Sequence, residues 1–317
     1  ELAKLKDAHP VIEKILSYRE LQKILSTYVD AIPSLADASG RLHTKLNQMG
    51  TTTGRMSSTG PNLQNIPVRG PNAKEIRRGF LATPGHEWIA CDYSQIEMRI
   101  MALFSGDENL INIFKHGEDG HSSVAARVFD VPENKVTADM RRSAKTINFG
   151  IIYGMGVSAL KENLGTTRAE AQKFYDNYFE KFPKIRDFFE KIKKEAREKG
   201  YTETLFGRRR YFPGIKSKIP FIRAMAERMA INAPLQGTAA DIIKIAMIEV
   251  DQELKKANLG DKVHLLLQIH DELIYEAPDE LVEGAAEIIR RVMENAVETR
   301  LVLSANIYIG RNWGELE

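Results

Sequence analysis

The sequence predicts an α+β protein, with an antiparallel sheet that carries acidic groups at its rim and a large helical region attached to it. Three observations point there. The apolar run Trp88 to Cys91 ends on Asp92-Tyr93-Ser94-Gln95-Ile96-Glu97, and the apolar run Leu265 to Ile274 is interrupted by His270-Asp271-Glu272. Between them Arg141, Lys145, Phe149 and Tyr153 recur at strict four-residue spacing.

Taken in order, Leu2, Leu5, Val11, Ile12, Ile15, Leu16, Leu21 and Leu25 recur at helical spacing and predict a helical entry piece over 1–32, stopping near Pro33. Thr51 to Pro71 is dense in Thr, Ser, Gly, Asn and Pro, which predicts a surface loop. From Arg99 to about Arg197 the pattern is helical, with segments Ala169 to Phe182 and Lys184 to Arg197 that end at Gly200. A helix over Arg223 to Ala233 is expected to break at Pro234 and resume to Leu254. Val263 to Ile269 and Glu272 to Glu276 read as a hairpin reversing at His270-Asp271, followed by a helix from Glu280 to Arg300 and a closing strand from Leu301 to Ile309.

Composition narrows the function class. With 317 residues, 43% of them hydrophobic, the chain can bury a sizeable core. No apolar run approaches the ~18 residues needed to cross a bilayer, so a cytoplasmic protein without a membrane partner is expected. Cys91 is the only cysteine, which excludes an intrachain disulfide and makes it a small packed hydrophobe. The 45 basic residues nearly cancel the 43 acidic ones, for a net charge of +2, so any nucleic-acid signal must be local. Glu1 stands where a methionine would begin a gene product, and the sequence reads as a fragment.

The carboxylates suggest the chemistry. Asp271 at a hairpin reversal and Asp92 at a strand end come together if the two strands lie in one antiparallel sheet, and there they could hold a pair of hard cations. Two such ions about 3.5 to 4 Å apart activate the attacking oxygen and stabilise the leaving oxygen in an in-line displacement at phosphorus. A single turn aspartate ordinarily satisfies only backbone amides; the combination carries the reading.

Each four-residue helical step turns about 400°, so Arg141, Lys145, Phe149 and Tyr153 drift only about 40° per step and form one stripe. Arg141 and Lys145 suit triphosphate oxygens, Phe149 offers a flat face to sugar or base, and His121 could reach a phosphate from the side. By spacing alone the stripe reads as an ordinary amphipathic face, and only its company lifts it above that. Arg228, Asn232 and Gln236 also recur at four-residue spacing, and Arg55, Asn62, Gln64 and Asn65 crowd the polar loop. Such donors can test minor-groove acceptors without reading sequence. Arg77-Arg78 and Arg208-Arg209-Arg210 are further candidates for phosphate contact, or solvated surface.

These residues also carry a family resemblance. DYSQIEMR at 92–99, RRSAKTINFGIIYG at 141–154 and QIHDE at 268–272 resemble motifs A, B and C of family A DNA polymerases of the bacterial DNA polymerase I type. The strings TGRMSSTGPNLQNIPVRG, LFGRRRYFPGI and ERMAINAPLQGTAADIIKIAMI extend the likeness along the chain. The resemblance implies a right-hand polymerase fold: the end of a thumb at 1–40, palm at 41–98 and 226–317, and fingers at 99–225.

It further implies template-directed DNA synthesis from deoxynucleoside triphosphates on primer-template DNA, by a monomer, in replication or repair. Asp92 and Asp271 would bind two magnesium ions, which manganese can replace, with the Tyr93 carbonyl as an added ligand and Glu272 in support. Gln95, Glu97, His121, Arg141, Lys145, Phe149 and Tyr153 would form the nucleotide site, with Glu97 as the steric gate against a 2′-hydroxyl and Tyr153 at the template position. Arg55, Asn62, Gln64, Asn65, Arg228, Asn232, Gln236 and His270 would contact primer-template.

The sequence departs from the family's pattern at Gly120, where isoleucine is more usual before the histidine. Most of the thumb, the proofreading exonuclease and the 5′ nuclease domain have no counterpart in these residues. The alternative reading is a truncated DNA- or nucleotide-binding fragment that is inactive without the missing thumb. Glu97 beside Phe149 argues against an RNA polymerase. A two-metal nuclease has no need of the basic-aromatic stripe, and a carbohydrate hydrolase explains neither it nor the donor clusters.

Overall fold

A computed structural model describes residues 2, 5, 8–68, 70, 72–115 and 119–316. Positions 1, 3, 4, 6 and 7 of the expected entry helix, and Arg69 and Pro71 of the expected loop, lie outside the described residues. Helix α1 (Pro10–Ile24) opens on a proline whose missing N–H costs nothing in a first turn, with His9 accepting from Val11 N–H. It runs through a π-helical turn, Leu25–Val29, into the short α2 (Ala31–Ser34). Strands β1 (Lys45–Asn47) and β2 (Ser57–Thr59) pair antiparallel, and α3 (Ala73–Arg78) leads to β3 (His86–Tyr93).

The helical region then holds α4 (Ile96–Ser105), α5 (Glu108–Lys115), α6 (Gly120–Phe129), α7 (Ala138–Ile152), α8 (Val157–Leu164), α9 (Arg168–Lys181) and α10 (Pro183–Lys199). Thr167 caps α9 in a reciprocal capping box with Glu170, and Gly200 ends α10 at φ 84°, a left-handed conformation that suits a residue without Cβ. A hairpin the periodicity did not reveal, β4 (Tyr201–Glu203) with β5 (Arg209–Tyr211), interrupts the helices, its strands being too short to show a period. The 37-residue α11 (Pro220–Lys256) follows, then β6 (His264–Ile269), β7 (Glu272–Pro278), α12 (Val282–Asn295) and β8 (Ala305–Gly310).

Four expectations are corrected. Pro234 does not break α11: Ala230, Ile231, Ala233, Pro234 and Leu235 are all buried, and this packing outweighs the lost backbone bond. The last helix stops at Asn295 rather than Arg300, and the closing strand begins at Ala305 rather than Leu301. The polar stretch 51–71 is not simply surface, since Thr53, Met56, Ser58, Leu63 and Ile66 are buried.

The sheet has strand order β6-β7-β3-β8, antiparallel throughout. Alternation along β3 sends Ile89, Cys91 and Tyr93 into one core with α12 and the helical region, and Trp88 and Ala90 into a second with Leu63, Ile66 and Trp313. Both faces are therefore covered, which locks the register: a slip of one residue would exchange the two cores. Cys91 is fully buried, as expected of a packed hydrophobe.

Candidate active site

Register delivers the carboxylates. Strand β3 pairs with β7 so that Asp92 lies opposite Glu272, one residue past the β6–β7 reversal that carries Asp271. The Tyr93 N–H donates to the Asp271 carbonyl at 3.1 Å and ties the two acidic segments together directly. His270 takes φ 52° in that reversal, and the Gln268 side chain donates to its carbonyl at 2.6 Å, which holds a backbone conformation that costs a non-glycine residue about 1 kcal/mol. The Tyr93 side chain faces the core, its hydroxyl donating to the Met293 carbonyl at 2.6 Å, so only its backbone belongs to the rim.

Burial, then Glu272 and Asp271, pushes the Asp92 carboxyl up to about 7. Burial also raises Asp271, against the pull of Arg55 and His270. Glu97, in the first turn of α4, is pushed up to about 7 by burial despite Arg55, whose Nη2 lies 2.9 Å from Glu97 Oε1 and 3.8 Å from Asp271 Oδ1. Arg55, read in sequence as a duplex contact, thus stands between Glu97 and Asp271. The other oxygen of Glu97 and the Nε of Arg55 are buried without partners, so this pair keeps unspent hydrogen-bonding capacity beside the rim.

Helix α7 carries the stripe. Arg141 is bound to Asp119, Nε to Oδ2 at 2.6 Å and Nη2 to Oδ1 at 3.2 Å, while Lys145 makes no ion pair with any described residue. Phe149 and Tyr153 are 38% and 43% exposed, unusual for aromatics on a helix that packs into a core. Burial raises the Tyr153 phenol, and Glu97 and Asp271 raise it further against Arg55, which brings the end of α7 within electrostatic reach of the rim. His121 on α6 is buried against Phe149, ring centroids 5.8 Å apart, and accepts at Nδ1 from the Asn148 amide at 3.1 Å. Burial, aided by Lys145 and Arg141 against Asp119, pushes it down to about 4, so it is neutral at neutral pH with its proton on Nε2.

The duplex candidates are scattered around this centre. Gln64 donates to the Gln268 carbonyl at 3.0 Å and so touches the reversal; Asn62 caps the turn before it and Asn65 is exposed. Arg228 on α11 packs against Gly154, where a Cβ would lie 3.1 Å from its Cα. Asn232 is buried with its amide nitrogen unpartnered, and Gln236 is half-buried. At Gly237 a Cβ would lie 3.2 Å from the Thr53 carbonyl, so this part of α11 lies against the loop that carries Arg55. His270 is exposed at the reversal. The arginine runs are not free cationic surface: Arg208 pairs with buried Asp241 at 2.7 Å, Arg209 with Glu203 at 2.6 Å, and Arg77 lies buried over Trp313.

Sequence reading missed Asp119, Asn148 and Gln268. Asp119 had a signal, an acidic N-cap three residues before Ser122; a buried asparagine has none. The Gly120 departure has a local cause, because a Cβ there would lie 2.4 Å from Gln95 Oε1 and 2.8 Å from the Phe114 ring.

Residues 1–315 match the family model for DNA polymerase family A. The chain belongs to this family. It is 49% identical over 313 residues to the thermostable DNA polymerase I of Thermus aquaticus, covering 98% of the chain and 37% of that protein. It is 48% identical over 317 residues to DNA polymerase I of Chloroflexus aurantiacus, covering 33% of it. The chain thus spans about a third of the length of these relatives. Among solved structures it superposes with TM-score 0.94 and 42% identity on the POL domain of Pol1 from M. smegmatis, complexed with DNA primer-template and dNTP, covering 99% of this chain and 56% of that one. Family A DNA polymerases are metal-dependent in general, and the α+β architecture expected from the sequence is that of this polymerase domain.

Proposed function

We propose that this family A polymerase chain carries out template-directed DNA synthesis. The primer 3′-oxygen attacks the α-phosphorus of a deoxynucleoside triphosphate; a P–O bond forms, the α–β bridging P–O bond breaks, pyrophosphate leaves with the bonding pair, and the hydroxyl proton passes to solvent. One observation carries the reading: the acidic rim of Asp92 and Asp271, with Arg55 bridging toward Glu97, lies within electrostatic reach of Tyr153 at the end of α7, the helix that also carries Arg141 and Lys145 beside His121 of α6. That spacing of charge suits a triphosphate whose α-phosphorus lies at the rim and whose outer phosphates lie against the helices. Its relatives' names and the DNA and dNTP in the M. smegmatis complex support the same reading.

The rim fits hard divalent cations, because its donors are all oxygen and its carboxyls are pushed up, both by burial and Asp92 also by Glu272 and Asp271, a cost that a cation would relieve. Asp92, Asp271 and the Tyr93 carbonyl would be the protein ligands, with Glu272 in support; among the described residues no cluster of three or more His, Cys, Asp or Glu side chains is arranged to hold a metal by itself. Two magnesium ions, or manganese in their place, would supply charge neutralisation and an acidified 3′-hydroxyl. Glu97, buried and held by Arg55, would close the space beside the sugar and exclude a 2′-hydroxyl, with Gln95 behind it. Phe149 would flank the sugar and base, and Tyr153 the templating position. Arg55, Asn62, Gln64, Asn65, Arg228, Asn232, Gln236 and His270 would line the duplex.

On this reading residues 1–40 are the end of a thumb, 41–98 and 226–317 the palm, and 99–225 the fingers. The working protein is a cytoplasmic monomer. Among the described residues no helix is long and apolar enough to cross a membrane. Primer extension with magnesium, comparing deoxy- with ribonucleotides, tests the proposal: templated deoxynucleotide addition supports it. No extension, with triphosphate binding intact, would leave a nucleotide-binding fragment.

A further inference from the structure

One carboxylate joins three segments of the nucleotide site. Asp119 Oδ2 accepts from Arg141 Nε at 2.6 Å, from the Ser122 hydroxyl at 2.6 Å and from the Ser122 N–H at 3.1 Å. Its Oδ1 accepts from Arg141 Nη2 at 3.2 Å and from Gln95 Nε2 at 3.3 Å. It therefore ties α7 through Arg141, the N-terminus of α6 two residues before His121, and the turn after β3 through Gln95. Burial alone would raise the Asp119 carboxyl, but the bonds from Arg141 and Ser122 outweigh it and hold it well below the usual carboxylate range. Gly120 leaves room for the arrangement, since a Cβ there would lie 2.4 Å from Gln95 Oε1.

We infer that Asp119 is a positioning residue for the triphosphate: it grips one edge of the Arg141 guanidinium and thereby fixes the direction of the donors that remain. Arginine has five N–H donors in a rigid plane, and the bonds to Asp119 use one on Nε and one on Nη2. Three remain, two on Nη1 and one on Nη2, fixed in one plane on the helix that carries Lys145 one turn further on. A free arginine would have to lose several rotatable bonds on binding; a gripped one has lost them already. Such a carboxylate beside a polyanion would be a plain liability unless its charge is spent on the arginine. The inference rests on the proposed role of Arg141 in holding the triphosphate.

Asp119→Asn is the sharp variant, because asparagine caps a helix as well as aspartate does and so keeps α6 while it removes the charge that grips Arg141. Steady-state extension should show KM for the deoxynucleotide raised about tenfold with kcat within about twofold. Arg141→Ala should raise KM at least as much, and Asp119→Asn added to it should change nothing further, since its effect passes through the arginine. Calorimetric titration with inorganic tripolyphosphate gives a readout independent of turnover, and affinity should fall in Asp119→Asn by the same factor. An unchanged KM and tripolyphosphate affinity in Asp119→Asn, or a further KM rise in the double variant, would overturn the inference. If the wild-type chain extends no primer, the polymerase reading fails while the tripolyphosphate comparison still decides the role of Asp119.

Discussion

The sheet rim and the face of α6 and α7 hold charge in opposite ways. At the rim a two-sided backbone ladder forces Asp92 and Asp271 together; burial raises both carboxyls, and repulsion from Glu272 and Asp271 raises Asp92 further. On the helices the charges are more exposed, and Arg141 and Asp119 satisfy each other: they are 48% and 35% exposed, and their pairing depresses the acid. Backbone pairing can impose an unfavourable juxtaposition of charge, because a whole strand register resists it. A helix face has only side-chain contacts with which to aim its charges, so it needs a partner residue. The rim is therefore suited to hold chemistry in place, and the helix face to receive and release a ligand.

The largest expected effect separates the two regions outright. Asp271→Ala should cut kcat by about a thousandfold or more, with no loss of thermal stability, because the aspartate is already strained by burial. Substantial residual turnover in primer extension would remove Asp271 from the reacting centre. Next, Glu97→Ala opens the space between rim and helix, and deoxy- over ribonucleotide preference should fall by about 10- to 100-fold in competitive incorporation. Retained preference would place sugar discrimination elsewhere.

Two smaller effects sharpen the helix side. The folded-state value of His121, about 4, lies below its ordinary 6.5, so its contribution is fully present above pH 6.5 and is lost as pH falls toward 4, by up to about 3 kcal/mol. Melting curves across that window should flatten in His121→Gln; an unaltered acid slope would show that the ring is not buried neutral. Gly120→Ala should destabilise by about 1 to 2 kcal/mol, as Gln95 and Phe114 give way. A neutral result in urea titration would mean that the α6 N-terminus is loosely packed against α5 and the turn after β3.

Much of the fold was legible because it is local. The apolar run Trp88 to Cys91 and the reversal at His270-Asp271 announced the two strands, and helical spacing announced the stripe of α7 and placed α9 and α10 to within a residue or two. Pro234 misled, because a local rule about backbone donors was overruled by burial along α11. The arginine run 208–210, open in sequence to phosphate contact or to solvation, turns out to be engaged at Arg208 and Arg209 by Asp241 and Glu203.

By itself the sequence determined which residues share a strand face or a helix stripe, and so which acids and bases were available to the site. Only the tertiary structure decided their partners: Arg55 with Glu97, 42 residues away, and Arg141 with Asp119, 22 residues away. The physical reason is range. Periodicity follows from the geometry of one turn or one pleat, whereas an ion pair between distant segments exists only after loop closure and packing have fixed both backbones.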